Sequence, residues 1–219
     1  MTDFIQGLAL SRAFYQEAVK PILDEHFPDV IYSAGLIGSG SEVLGYDTEM
    51  STDHHWGPRA VLFLSADDKT TYADAISQTL SENLPYTFRG YSTHFGDPII
   101  GDGDNGTQLL DTITEGNINH RVEIYTLCEF MGYYLGIGSQ HKMTPADWLS
   151  IPQQKLLSFT GGDIFHDGLD VNIIREKLNY YPHNVWLYLL ACSWSRIGQD
   201  EHLAPRAGYV GDELGSAVI

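Results

Sequence analysis

A turn of small residues, Gly38-Ser39-Gly40-Ser41-Glu42-Val43-Leu44-Gly45, precedes Ser51-Thr52-Asp53-His54-His55 and then the apolar run Ala60-Val61-Leu62-Phe63-Leu64. Glycine and serine in such a turn let backbone N–H groups approach an anion. Asp53 and His55, two residues apart at the mouth of a strand, point to the same side. A carboxylate and an imidazole so placed suit a divalent metal. An anion-binding turn feeding a metal site points to metal-assisted chemistry on a nucleotide. A further carboxylate stands in His120-Arg121-Val122-Glu123-Ile124-Tyr125-Thr126. Its period-2 pattern puts Val122 and Ile124 on the core side of a strand and Arg121, Glu123 and Tyr125 on the other.

Each of these features has a plainer role. An Asp before a strand is commonly a turn residue or a cap, and His54-His55 suits a buried pair satisfied by backbone carbonyls. Gly-Ser-Gly-Ser is a common connector and lacks the Gly-Lys-Ser/Thr ending of a P-loop. Asp47 and Glu49 form a competing Asp-x-Glu pair and are the reserve ligands. Gly101-Asp102-Gly103-Asp104-Asn105-Gly106 has half the acidic spacing of a calcium loop. It places Gly106 at the fifth, ligating position and Thr107 where glycine is required, so it reads as a turn.

The succession of strand, Gly40-Ser41 turn, Asp53, strand, and Glu123 on a later strand resembles the signature of the nucleotidyltransferase superfamily, which includes the aminoglycoside nucleotidyltransferases. The whole chain, with Ser11-Arg12, Phe14-Tyr15, Asp53-His54-His55-Trp56-Gly57-Pro58-Arg59 and Tyr180-Tyr181-Pro182-His183, is similar to an uncharacterised bacterial family within it. The resemblance implies an α/β (α+β) fold, a mixed sheet flanked by helices and followed by a helical region. It implies nucleotide binding by Gly40, Ser41, Gly45 and Ser51, catalytic carboxylates at Asp53 and Glu123, and metal ligation by Asp53, His55 and Glu123. The implied reaction moves a nucleoside monophosphate from a nucleoside triphosphate, ATP for example, to a hydroxyl of a small-molecule acceptor. Magnesium or manganese is the expected cofactor. His55 replaces the second carboxylate of the pattern, and Trp56-Gly57-Pro58-Arg59 is inserted before the strand. That replacement opens the way to a softer metal, or to a degenerate protein that binds nucleotide or acts through protein contacts. A metal-dependent hydrolase built on Asp53-His54-His55 is a further alternative.

Composition narrows the partners. With 219 residues, 43% of them hydrophobic and 12% aromatic, the chain is able to bury a full core. Its 12 Lys and Arg against 29 Asp and Glu give a formal charge of −17, which argues against a direct nucleic-acid surface. A phosphate-bearing ligand would therefore need a metal. Cys128 and Cys192 are isolated, as expected of a reduced cytoplasm. No basic leader opens the sequence, and no apolar run reaches the roughly 18 residues of a membrane span. The expected setting is cytoplasmic, and the sequence does not reveal the oligomeric state.

The elements that must position these residues follow from spacing. Leu8, Tyr15, Val19, Ile22 and Leu23 mark a first helix interrupted at Pro21. Val30–Ile37 and Arg59–Ser65 read as strands, Lys69–Asn83 as a helix and Tyr86–Phe95 as an extended segment. Helices are expected over Glu129–Ile137, after the Thr144-Pro145 cap, over Pro152–Phe159 and Val171–Tyr180, and from Pro182 onward. The pattern divides into a nucleotidyltransferase-like domain, 1–126, and a helical domain, 127–219, truncated at its end relative to the family resembled. Gln199, Asp200, Glu201, His202 and Arg206, with Asp212-Glu213 beyond, read as a helix emerging into solvent or as acceptor contacts.

Overall fold

A computed structural model describes residues 4–53, 56–98 and 108–203, except for the side chains of Asp53 and residues 198–203. Packing divides the chain into two units, Met1–His141 with Pro152–Asn179, and Lys142–Ile151 with Tyr180–Ile219. The first unit is a mixed α/β arrangement.

Its sheet runs β5-β2-β1-β6, with β1 at Tyr32–Leu36, β2 at Arg59–Leu64, β5 at Arg121–Tyr125 and β6 at Asp163–Asp167. β1 is antiparallel to β2 and β6, whereas β2 and β5 are parallel. On one face Ala60, Leu62, Leu64 and Val122 enter the main core with Leu10, Phe14, Val19 and Leu23. These last four come from α1 (Gly7–Phe14), a π-helical turn (Tyr15–Val19) and α2 (Lys20–His26). Phe14 to Val19 is a five-residue step, and a π turn absorbs the extra residue so that the buried stripe keeps its face. The Lys20 N–H reaches Tyr15 O, five residues back, just before Pro21, which has no N–H to donate.

Next, α3 (Ala66–Asn83) is capped by the Ser65 hydroxyl accepting the Asp68 N–H at 3.0 Å, and it buries Ile76 and Leu80. The expected extended segment is a hairpin of β3 (Thr87–Phe88) and β4 (Tyr91–Ser92). Its two turn residues, Arg89 and Gly90, have φ of 51° and 89°, the left-handed pair of a tight hairpin turn.

The opposite sheet face packs on α4 (Leu127–Leu135) and α6 (Gln153–Thr160), with Phe130 at 5.2 Å from Phe63 and 6.1 Å from Phe159. Thr126 and Glu129 form a reciprocal capping box at the head of α4. Strand β6 falls in the gap between two expected helices, Pro152–Phe159 and Val171–Tyr180. Ser33 donates to Asp167 Oδ1 at 2.9 Å, and the Asp167 carboxylate also accepts the N–H groups of Val171 and Asn172 at the head of α7 (Val171–Leu178).

The second unit holds α5 (Pro145–Ser150), capped by Thr144 as its Thr-Pro start implies, and α8 (His183–Leu203). Trp148 meets Tyr181 edge-on at 5.4 Å, and Val185 is buried. Among the described residues no helix is long and apolar enough to cross a membrane.

Candidate functional site

Pairing of Gly35 with Val61 puts the carboxyl end of β1 beside the amino end of β2, and pairing of Arg59 with Arg121 brings the amino end of β5 alongside. A cavity of about 340 Å³ opens there. Strands β2 and β5 give it Arg59, Val61, Arg121, Glu123 and Tyr125, the turn after β1 gives Ser39, and α4 gives Tyr133 and Tyr134. Arg121, Glu123 and Tyr125 share the face that alternation assigned them, opposite the buried Val122.

Arg59 anchors the Gly-Ser turn. Its Nε donates to Glu42 Oε1 at 2.8 Å, its Nη2 lies 2.5 Å from the same oxygen, and Nη2 also donates to Ser39 O at 2.6 Å. Both partners of this ion pair are buried. Gly40 has φ of 135°, and a Cβ there would run into the Arg59 guanidinium and the Glu42 carboxylate, so only glycine lets the pair close beneath the turn. The N–H groups of Val43, Leu44, Gly45 and Tyr46 close the turn onto the carbonyls of Gly40, Ser41 and Glu42. Those of Gly40, Ser41 and Glu42 donate to no acceptor among the described residues. N–H groups without an acceptor in the protein are the kind of donor that an anion takes up.

Glu123 has a donor on each oxygen: Arg121 Nη2 at 2.9 Å and the Tyr125 hydroxyl at 3.3 Å. Arg121 Nη1 donates to Gln108 Oε1 at 2.9 Å. Burial, then the charge of Glu123 and its hydrogen bond, push the Tyr125 hydroxyl up to about 12. A phenol raised above its unfolded value of about 10 favours folding fully below that pH, and loses the contribution as pH climbs to its folded value. Among the late phenolates of an alkaline absorbance titration, one that is missing in Tyr125→Phe is therefore expected to have its pKa fall in Glu123→Gln. An unmoved transition in that variant would remove Glu123 as a cause.

The other expected site residues are placed as follows. Ser41 is half-buried in the turn, and Gly45 closes it with φ of 74°. The Ser51 hydroxyl accepts the Thr48 N–H at 3.0 Å, a local turn bond, and none of Gly40, Ser41, Gly45 and Ser51 lines the cavity, which the turn reaches through Ser39. Asp53 ends a 3-10 helix, Glu49–Asp53, without a described side chain. His54, His55, the 101–106 loop, Arg206 and Asp212-Glu213 lie outside the described residues, as do the side chains of Gln199, Asp200, Glu201 and His202. Asp47, the reserve ligand, is a structural acceptor instead. It is buried and takes the Gly7 N–H at 2.6 Å and the Trp56 indole N–H at 3.1 Å, tying the start of α1 to the core. Glu49 is exposed. Among the described residues no three His, Cys, Asp or Glu groups gather closely enough to hold a metal.

Ser39, Arg59, Tyr133 and Tyr134 were not among the expected site residues. Arg59 was within reach of sequence reasoning, because alternation along β2 sets Arg59, Val61 and Phe63 opposite the core residues Ala60, Leu62 and Leu64. The two tyrosines fall inside an expected helix whose apolar spacing gave no reason to single them out.

The fold and cavity define a mixed α/β protein with an arginine-bearing polar pocket at one end of its sheet. The family described as Domain of unknown function (DUF4037) matches residues 148–219, a stretch that includes β6, α7 and α8 and leaves out the cavity lining. No curated protein and no solved structure matches the chain.

Proposed function

We propose that the chain binds a nucleoside triphosphate and, with a divalent ion, transfers its nucleoside monophosphate to a hydroxyl of a small-molecule acceptor, as a nucleotidyltransferase. One observation carries the reading: the Gly-Ser turn after β1 and Glu123 of β5, on either side of β2, meet at one cavity whose wall includes Ser39, Arg59 and Arg121. The open N–H groups of the turn and the Ser41 hydroxyl hold the outer phosphates. Arg121 supplies the charge that offsets them at the cavity wall. Glu123 is 38% exposed on that wall, and its oxygens fit a hard divalent ion such as magnesium or manganese, with Asp53 and His55 completing the set and His55 admitting a softer metal. Once bound, such an ion neutralises phosphate oxygens and aligns the reacting groups. The acceptor hydroxyl attacks the α-phosphorus in line, its proton passes to a carboxylate of the site, and the bond to pyrophosphate breaks with the electron pair leaving on the pyrophosphate oxygen. The reading places the protein in a cytoplasm, where triphosphates are supplied.

A degenerate nucleotide-binding protein is the second reading, favoured by the donors that already occupy both Glu123 oxygens. Asp53→Asn is expected to abolish metal-dependent ATP binding in calorimetry with little loss of folding. Equal affinity with and without the ion, in both proteins, would count against a metal site. Transfer from radiolabelled triphosphate in magnesium or manganese then separates enzyme from binder.

A further inference from the structure

Tyr133 lies on the cavity wall and is 74% exposed. The next residue is fixed in place. The Tyr134 hydroxyl accepts the Ser39 N–H at 3.1 Å, and its ring centroid sits 4.5 Å from that of the buried Phe130. The Tyr133 ring meets Tyr134 nearly perpendicularly, with centroids 5.0 Å apart and planes at 82°. One immobilised ring thus separates Tyr133 from the turn that offers open N–H groups. The wall also carries Arg121, paired to Glu123, and Arg59, paired to the buried Glu42.

We infer that Tyr133 is the stacking platform for the flat heteroaromatic base of a nucleotide whose phosphates lie toward the Gly-Ser turn. The inference rests on the proposed nucleotide binding and adds the part of the ligand that Tyr133 recognises. A wall that offers guanidinium N–H groups beside an exposed aromatic ring suits a ligand that combines an anionic chain with a planar π-face. Inorganic polyphosphate has only the first of these, and a saturated sugar acceptor has neither. Stacking depends on the π-faces and is tolerant of base identity, so Tyr133 contributes affinity for a base without choosing among bases.

Calorimetry on the full chain in magnesium, with ATP and inorganic tripolyphosphate as separate ligands, tests this for wild type, Tyr133→Leu and Tyr133→Phe. Tyr133→Leu is expected to bind ATP about tenfold more weakly, with tripolyphosphate affinity unchanged, while Tyr133→Phe retains wild-type affinity for both. Equal ATP affinity in wild type and Tyr133→Leu overturns the inference while leaving triphosphate binding intact. Parallel loss of both ligands in Tyr133→Leu also overturns it, because that pattern marks a structural role. Failure of wild type to bind either ligand overturns this inference and the proposed function together.

Discussion

Glu42→Ala is expected to lower the stability of the protein by about 3–5 kcal/mol, the usual cost of breaking a buried ion pair from one side. Glu42 retains 3% of its side-chain exposure and Arg59 9%. Removing the carboxylate leaves a guanidinium out of water, with Ser39 O as its remaining partner in the turn. Glu42→Gln keeps an oxygen acceptor in place and should cost distinctly less. Urea denaturation would show the loss as a lower midpoint at unchanged slope. Because the pair is shielded from solvent ions, the difference between variant and wild type should persist in high salt. A loss below about 1 kcal/mol, or one that vanishes with salt, would mean that the pair behaves as a surface contact.

Arg175→Met is expected to cost about 3 kcal/mol, since hydrogen bonds to a charged group contribute more than neutral ones and their carbonyl partners would be orphaned. The Arg175 guanidinium donates to the carbonyls of Phe159, Thr160, Gly161 and Gly162 at 3.2, 2.8, 2.7 and 3.2 Å, and to Asn172 Oδ1 at 2.9 Å. It thereby serves the carboxyl end of α6, where helix carbonyls lack partners and a cation is favoured. Methionine approximates the volume but offers no donors, and Arg175→Lys should recover only a fraction, because an ammonium lacks the planar fork. Thermal unfolding measures the effect, and an unchanged midpoint would refute it. The turn so held also donates the Gly162 N–H to Val43 O at 2.7 Å, so the variant should loosen the Gly-Ser turn as well.

Much of the fold was legible because periodicity and breakers agreed. Pro85 follows the end of α3, Thr144-Pro145 opens α5, and the alternation of 121–125 set Glu123 on the cavity side, whereas the Ser65 and Thr126 caps start α3 and α4 ahead of the expected Lys69 and Glu129. Strand β6 was illegible. Asp163-Ile164-Phe165-His166-Asp167 is short, carries charge at both ends and follows a double glycine, so local pattern gives no sign of a partner far away in sequence. The Gly-Ser turn was legible as a candidate anion site, but its support was not, because a buried Arg59–Glu42 pair looks in sequence like two surface charges. Asp47 misled for the same reason. An acidic residue in a polar loop reads as a ligand until the Gly7 N–H and the Trp56 indole are seen to occupy it.

The bond between Ser33 and Asp167 spans 134 positions along the chain. A nascent polypeptide emerging from the ribosome must therefore carry β1 with one edge uncovered until β6 has been synthesised, a long exposure of unpaired backbone to other chains. Closure of so large a loop slows folding. Any shortened version that stops ahead of residue 163 would be left permanently in that sticky, half-zipped condition.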